Sequence, residues 1–222
     1  MYGGEKHQHP AVSSRFPYRQ DRQASEAIAR RHGIEPSRIV IAQQHPEAIQ
    51  AGVFHHDVIG LSHNALCLVH EKAFAHQDHV LEAIQDAYPG STPLTIRVIT
   101  SEELSLEDAV KTYFFNAQLV TSSDGTTHWI APQECSHHPK THTLLRELIT
   151  SLDEVDELHF ISLTESMSNG GGPACLRCRI PLTHDEYDQI PSEFKFTSTL
   201  YQELVSTVNN TYPDTFTLKD CI

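Results

Sequence analysis

The sequence predicts an α/β fold of tandem strand, strand, helix, strand units. Three observations lead there: short β-branched and apolar runs alternate with segments of helical apolar spacing, turn residues separate them, and the same order of elements occurs twice. The chain has 222 residues, 39% apolar and 20% charged, with 10 Gly and 12 Pro. That composition is globular and excludes disorder throughout. No low-complexity segment or interdomain linker interrupts it, so the sequence is read as one domain over residues 1–222, with residues 1–15 a flexible N-terminal segment.

From Arg19 to His32 a helix is expected, with Ala24, Ala27 and Ile28 on one face and Gly33 at the position after its end. Ile39 to Ala42 is a short β-branched run. Asp57 to Gly60 and Ala65 to Val69 read as two strands joined around Ser62, His63 and Asn64. Val80, Leu81, Ile84, Ala87 and Tyr88 then share helical spacing, Pro89 and Gly90 close that helix, and Leu94 to Ile99 returns as a strand. Ser105 with Asp108 gives a capping-box start to a connecting helix. The grammar repeats: Ala117 to Thr121 and His128 to Ala131 flank a Ser-Asp-Gly-Thr turn, Leu144, Leu145, Leu148 and Ile149 mark a helix, and Leu158 to Ser162 is a strand. Phe54 and Phe115 open the two units. A further unit is expected to begin with a strand at Ala174 to Ile180, ahead of helix-compatible stretches at His184 to Gln189 and Leu200 to Val208.

Sixteen Lys and Arg stand against 29 Asp and Glu, a net charge of −13. That sign opposes attraction to nucleic acid and to anionic lipid, so neither is expected as a partner. With no signal-like apolar region and no apolar run of about 18 residues, a cytoplasmic location is expected. Five cysteines, an odd number, then read as free thiols rather than a disulfide framework. The sequon at Asn209 to Thr211 is taken as incidental.

The most informative segment runs from Ser166 to Ile180, where three glycines and a proline precede Ala174-Cys175-Leu176-Arg177-Cys178. A phosphate-binding loop would need Lys-Ser/Thr and a helix after its glycines, and has neither. If Ala174 to Ile180 is extended, Ala174, Leu176, Cys178 and Ile180 share an apolar face, while Cys175, Arg177 and Arg179 take the other. The two thiols then point apart, which disfavours a Cys-x-x-Cys metal or redox site and makes Cys178 a core residue. Cys175, beside two arginines whose field favours a thiolate, is a candidate nucleophile; an inert, partly buried cysteine is the alternative.

A cysteine nucleophile needs a proton-transfer partner, and Gly52-Val53-Phe54-His55-His56-Asp57 offers one. Either histidine can serve as acid and base, with Asp57 orienting it or binding a cation. With 16 histidines in the chain, a surface pair is the competing reading. His7, His9, His137 and His138 show no convincing ligand spacing, so no metal or other cofactor is expected.

The strings FPYRQ, ASEAIARRHGI, IAQQHPEAIQAGVFHHDVI, FNAQLV, PQEC and ESMSNGGGPACLR, in that order from Phe16 onward, closely resemble the C-terminal half of the succinylarginine dihydrolase family of the pentein, or amidinotransferase-like, superfamily. The resemblance implies a partial α/β propeller of ββαβ units around a pseudo-fivefold axis. It also implies hydrolysis of N2-succinylarginine with two waters to N2-succinylornithine, two ammonia and CO2. By motif, Cys175 matches the nucleophile and His55 the catalytic histidine, while Asp57, Arg19 and Asn169 match substrate-binding positions. A carboxylate holds the guanidinium while the thiolate adds, and the histidine protonates departing ammonia.

Departures from the family pattern carry their own expectations. Nothing here matches the N-terminal half, which supplies a catalytic Glu and much of the succinyl-binding wall, so the chain is expected to be inactive alone unless a separately encoded half or a second copy completes it. Glu134 in PQEC is a candidate stand-in. Cys178 replaces an apolar residue, and His56 stands where Asn is common. The alternatives are a catalytically dead pentein fragment that binds or supports other molecules and, last, a His-rich metal binder.

Overall fold

The computed structural model describes residues 1–4, 15–213, 215 and 217. Residues 5–14 of the expected flexible segment, with His7 and His9, lie outside the described residues, as does Cys221. The elements in chain order are α1 (Arg22–Arg31), α2 (Pro46–Gln50), β1 (Gly60–His63), β2 (Leu66–His70), α3 (Gln77–Ala87), β3 (Thr95–Ile99), α4 (Leu106–Thr112), β4 (Gln118–Thr121), β5 (Thr127–Pro132), α5 (Gln133–His137), α6 (Pro139–Ser151), β6 (Glu157–Ile161), α7 (Thr164–Ser168), α8 (His184–Asp188) and α9 (Ser198–Thr211). None of the described helices is long and apolar enough to cross a membrane.

The fold is mixed α/β, and the strand, strand, helix, strand order occurs twice. In each three-stranded sheet the first two strands are an antiparallel hairpin and the third returns parallel to the second, giving β1-β2-β3 and β4-β5-β6. Parallel return requires a crossover, which α3 supplies in the first sheet and α5 with α6 in the second. Asn64, at φ +47°, makes the tight turn between β1 and β2, a conformation that Asn tolerates better than most residues.

Alternation along β2 feeds two cores. Leu66 and Leu68 point into a cluster with Leu61, Phe114, Phe115, Leu119, Trp129 and Leu145 that spans both sheets. Cys67 and Val69 face the other way, into a cluster with Val58, Ile59 and Phe74 that Val80, Leu81 and Ile84 of α3 cover. In β5 the pleat sends Trp129 and Ala131 inward and His128 and Ile130 outward.

Several expectations are corrected. Ala174 to Ile180 is not a strand: Pro173, whose fixed φ suits a first helical position, starts a 3₁₀ turn at Pro173–Leu176. Cys178 is exposed rather than core, and Leu176 and Ile180 are 58% and 66% exposed. Ile39 to Ala42 forms no strand. Around it are only isolated bridges, Tyr2 to Gln43 and Gln44 to Phe74. Asp57 to Gly60 begins as a 3₁₀ turn over His56–Val58, because His55 Nδ1 accepts from the Asp57 N–H at 3.2 Å, and β1 starts only at Gly60. On α1, Ile28 is exposed and the buried residue is Ser25, whose hydroxyl donates to the Met1 carbonyl. Phe115 is buried as a unit opener should be, whereas Phe54 is 42% exposed.

The chain divides into two compact units, Met1–Arg177 and Cys178–Ile222. The first holds both sheets. The second holds α8, opened by a Thr183–Glu186 capping box, and α9, along which Tyr201, Leu204, Val205 and Val208 share one exposed face.

Candidate active site

The turn carrying Cys175 is assembled from three directions. Before it, α7 ends at Asn169, and Gly170 at φ +86° redirects the chain. The Ser166 hydroxyl donates to the Gly171 carbonyl at 2.7 Å and ties the glycine loop back to α7. Beneath the turn, Gln118 Nε2 on β4 donates to the Pro173 carbonyl at 2.6 Å, and Arg177 Nη1 donates to the Ala117 carbonyl at 3.1 Å. Gly172 lies so close to Asn116 that an added Cβ would stand 2.4 Å from its Oδ1.

Asn116, fully buried, is the residue that reaches the sulfur. Its Nδ2 donates to Cys175 Sγ at 3.3 Å, and its Oδ1 accepts from the Ala174 N–H at 3.2 Å. The Cys175 thiol can donate back to Oδ1 only across 3.7 Å, so the shorter contact is the one that favours negative charge on sulfur. Tyr113, at φ +51°, ends α4 and turns the chain toward Asn116. Its hydroxyl donates to the Gly170 carbonyl at 3.4 Å, and burial, with the charge of Cys175 second, raises its pKa. Cys175 itself is exposed.

His55 sits after α2, which ends through Ala51 and Gly52 at φ +98°. Because the Asp57 N–H donates to Nδ1, the neutral ring carries its proton on Nε2. A proton gained at Nδ1 meets the Asp57 carboxylate at 3.5 Å. Asp57 thus engages this ring nitrogen through its N–H and stands its carboxylate beside it.

The structure sorts the other expected residues into separate settings. Arg19 and His55 line one cavity of about 160 Å³, together with Gln44 and Phe54. Asp57 lines a second, of about 350 Å³, whose wall also includes Arg177, two residues beyond Cys175. Cys175 is in neither wall. Asn169 is exposed, and its Nδ2 donates to the Glu165 carbonyl of its own helix. Glu134 lines neither cavity, and its Oε2 is buried without a hydrogen-bond partner among the described residues.

His56 borders both cavities. Its ring stacks on Phe74 at 5.1 Å with Nδ1 shut off from solvent and without a hydrogen-bond partner among the described residues, although the residue as a whole keeps partial exposure. Burial lowers its pKa to about 4 against the opposing pull of Asp57. Sequence reasoning singled out neither Asn116 nor Tyr113. A signal existed for the first: a polar residue set between Phe114, Phe115 and Ala117 is a buried polar group in need of partners.

A family profile described as succinylarginine dihydrolase matches residues 1–222. The N-succinylarginine dihydrolase of Cronobacter sakazakii (strain ATCC BAA-894) is 39% identical over 222 residues, covering 100% of this chain and 49% of the relative. That of Pseudoalteromonas translucida (strain TAC 125) is 36% identical over 206 residues, covering 93% of this chain and 46% of the relative. The chain spans about half the length of these curated relatives. With the profile matched from end to end, the chain belongs to the succinylarginine dihydrolase family.

Proposed function

We propose that the chain carries the nucleophile side of a site that hydrolyses N2-succinylarginine, on a partial pentein-type propeller. Cys175 adds as thiolate to the guanidinium carbon, and a C–N bond breaks as His55 gives the departing ammonia its proton. Water then hydrolyses the amidino-thioether, and a second cycle removes the other nitrogen. Asp57 anchors the guanidinium, and Arg19 and Asn169 contact the substrate. The observation that carries this reading is the exposed Cys175 thiol with the fixed Asn116 amide 3.3 Å away.

The site is completed by a partner, either a separately encoded N-terminal half or a second copy, in a cytoplasmic setting. The separation of Cys175 from the cavities that His55 and Asp57 line supports the need for completion. The same separation favours the second reading, a pentein fragment that binds or supports other molecules without catalysis. Ammonia release from N2-succinylarginine tests both. The isolated chain is expected to release essentially none, and addition of the N-terminal half of a full-length relative to restore turnover that Cys175→Ser and His55→Ala abolish. Restored turnover that survives Cys175→Ser overturns the assignment of the nucleophile; no turnover in any mixture favours the non-catalytic reading. Light scattering distinguishes a self-associating chain, with the exposed face of α9 as its apolar surface, from a monomer.

A further inference from the structure

Three side chains converge on the outer face of the second sheet. β5 and β6 run parallel with His128 opposite Glu157 and Ile130 opposite His159. Alternate residues of a strand share a face, so His128, Glu157 and His159 emerge together on the side away from Trp129. His128 Nδ1 lies 3.0 Å from His159 Nε2 and 3.2 Å from Glu157 Oε2, and His159 Nε2 lies 3.1 Å from that same oxygen. Tetrahedral bonds of about 2.0–2.1 Å to zinc hold their ligand atoms roughly 3.3 Å apart, so the triangle needs to open only slightly to hold the ion.

The orientation of His128 is fixed from behind. Its Nε2 lies 3.3 Å from Ser122 Oγ, and that hydroxyl donates to Asp124 Oδ1 at 2.5 Å and lies 3.0 Å from the Thr126 carbonyl. With its one proton so committed, the Ser122 oxygen accepts from the His128 Nε2–H, and the Nδ1 lone pair points into the triangle. This is the arrangement by which an outer partner sets the tautomer of a metal-binding histidine.

We propose that His128, Glu157 and His159 form a zinc-binding site on the exposed face of β5 and β6. Two imidazoles and a carboxylate suit a borderline divalent ion better than a soft or a hard one. Its exposed side leaves a fourth position for water, as in three-ligand centres. None of the three lines the cavities of His55 and Asp57. A bound ion would clip two strands whose connection is the whole α5 and α6 crossover. Ligand spacing in the sequence does not reveal it, because His128 and the Glu157-Leu158-His159 triplet meet only through strand register.

Zinc alone, titrated into the full chain at neutral pH and followed by calorimetry, tests the proposal, with cobalt absorption reporting geometry. Binding at this site is expected to be lost in His128→Ala and in His159→Ala, weakened in Glu157→Gln, and weakened on the order of tenfold in Ser122→Ala. His137→Ala should leave it intact. The melting temperature should rise with added zinc in the parent chain but not in His159→Ala, and affinity should fall on acidification as protons compete for the imidazoles. Glu157 and His159 are exposed and His128 is half-buried, so metal-free circular dichroism checks each variant's folding, and the variants that fold decide. No binding by the parent chain, or full affinity retained in the folded His variants, overturns the proposal.

Discussion

The Asn116 side chain is held at both ends of its amide by one short turn, accepting from Ala174 N–H at 3.2 Å and donating to Cys175 Sγ at 3.3 Å. The Ala174 N–H, which also reaches the Asn116 backbone carbonyl at 3.4 Å, favours the amide orientation that turns Oδ1 toward it and Nδ2 toward the sulfur. A hydrogen bond to a charged group contributes about 1.5 kcal/mol or more, roughly tenfold in an equilibrium. Asn116→Ala should therefore slow iodoacetamide alkylation of Cys175 about tenfold. Asn116→Asp, which keeps the acceptor but brings negative charge to the sulfur, should slow it further. Equal rates in parent and both variants, by peptide mapping, would refute the role.

Among the four described cysteines, Cys175 should label first and Cys135 last. Burial pushes the Cys135 thiol up to about 12, even though its Sγ donates to the Thr112 carbonyl at 3.3 Å, and its side chain is closed to reagent. Cys178 is exposed, so its order relative to Cys175 measures the Asn116 contact rather than strand-face burial. Time-resolved alkylation with mass mapping gives the order; labelling of Cys135 before unfolding would contradict it.

His56 gives a defined acid sensitivity. Its folded pKa is about 4 and its ordinary value 6.5, so between these pH values the unfolded chain takes up a proton that the folded chain refuses. Stability is full above about pH 6.5, falls as pH drops toward about 4, and levels below that, a total of about 3 kcal/mol from this group. His56→Asn removes the titrating ring. Urea unfolding at pH 7.5 and 4.5 should show a smaller pH-dependent loss in His56→Asn than in the parent, and an identical loss would refute the assignment.

Gly172→Ala should cost about 1–3 kcal/mol and slow Cys175 alkylation together, because the new methyl would stand against Asn116 Oδ1. The φ of Gly172 is −87°, so the penalty is steric and not conformational. Gly125→Ala is the control: φ is +92° with open space around the new Cβ, so it strains a turn far from sulfur without touching alkylation. Thermal melts and alkylation rates of the two variants separate these outcomes.

The two strand, strand, helix, strand units were legible because burial sets their periodicity: Leu66 and Leu68 face one core, Cys67 and Val69 the other. The same rule misled at Ala174, Leu176, Cys178 and Ile180, of which only Ala174 is buried, because Pro173 after the glycines imposes a turn. His55 and Cys175 were legible as chemical residue types in unusual strings. Their supports, Asn116 and Tyr113, come from a connection between α4 and β4 whose approach to the glycine turn is a tertiary fact. Likewise, the meeting of His128 with Glu157 and His159 depends on strand register.

Each sheet is completed within a single short stretch of sequence, Gly60 to Ile99 and Gln118 to Ile161. On a ribosome, the first sheet can therefore close before the strands of the second have emerged, with no partner awaited from later in the chain. What it lacks at that moment is cover for Leu61, Leu66 and Leu68, which later pack with Phe114, Phe115 and Trp129. The nascent chain thus carries an exposed leucine surface from the completion of β3 until β5 is made, and a pause in translation across that interval would prolong its exposure to chaperones and to aggregation.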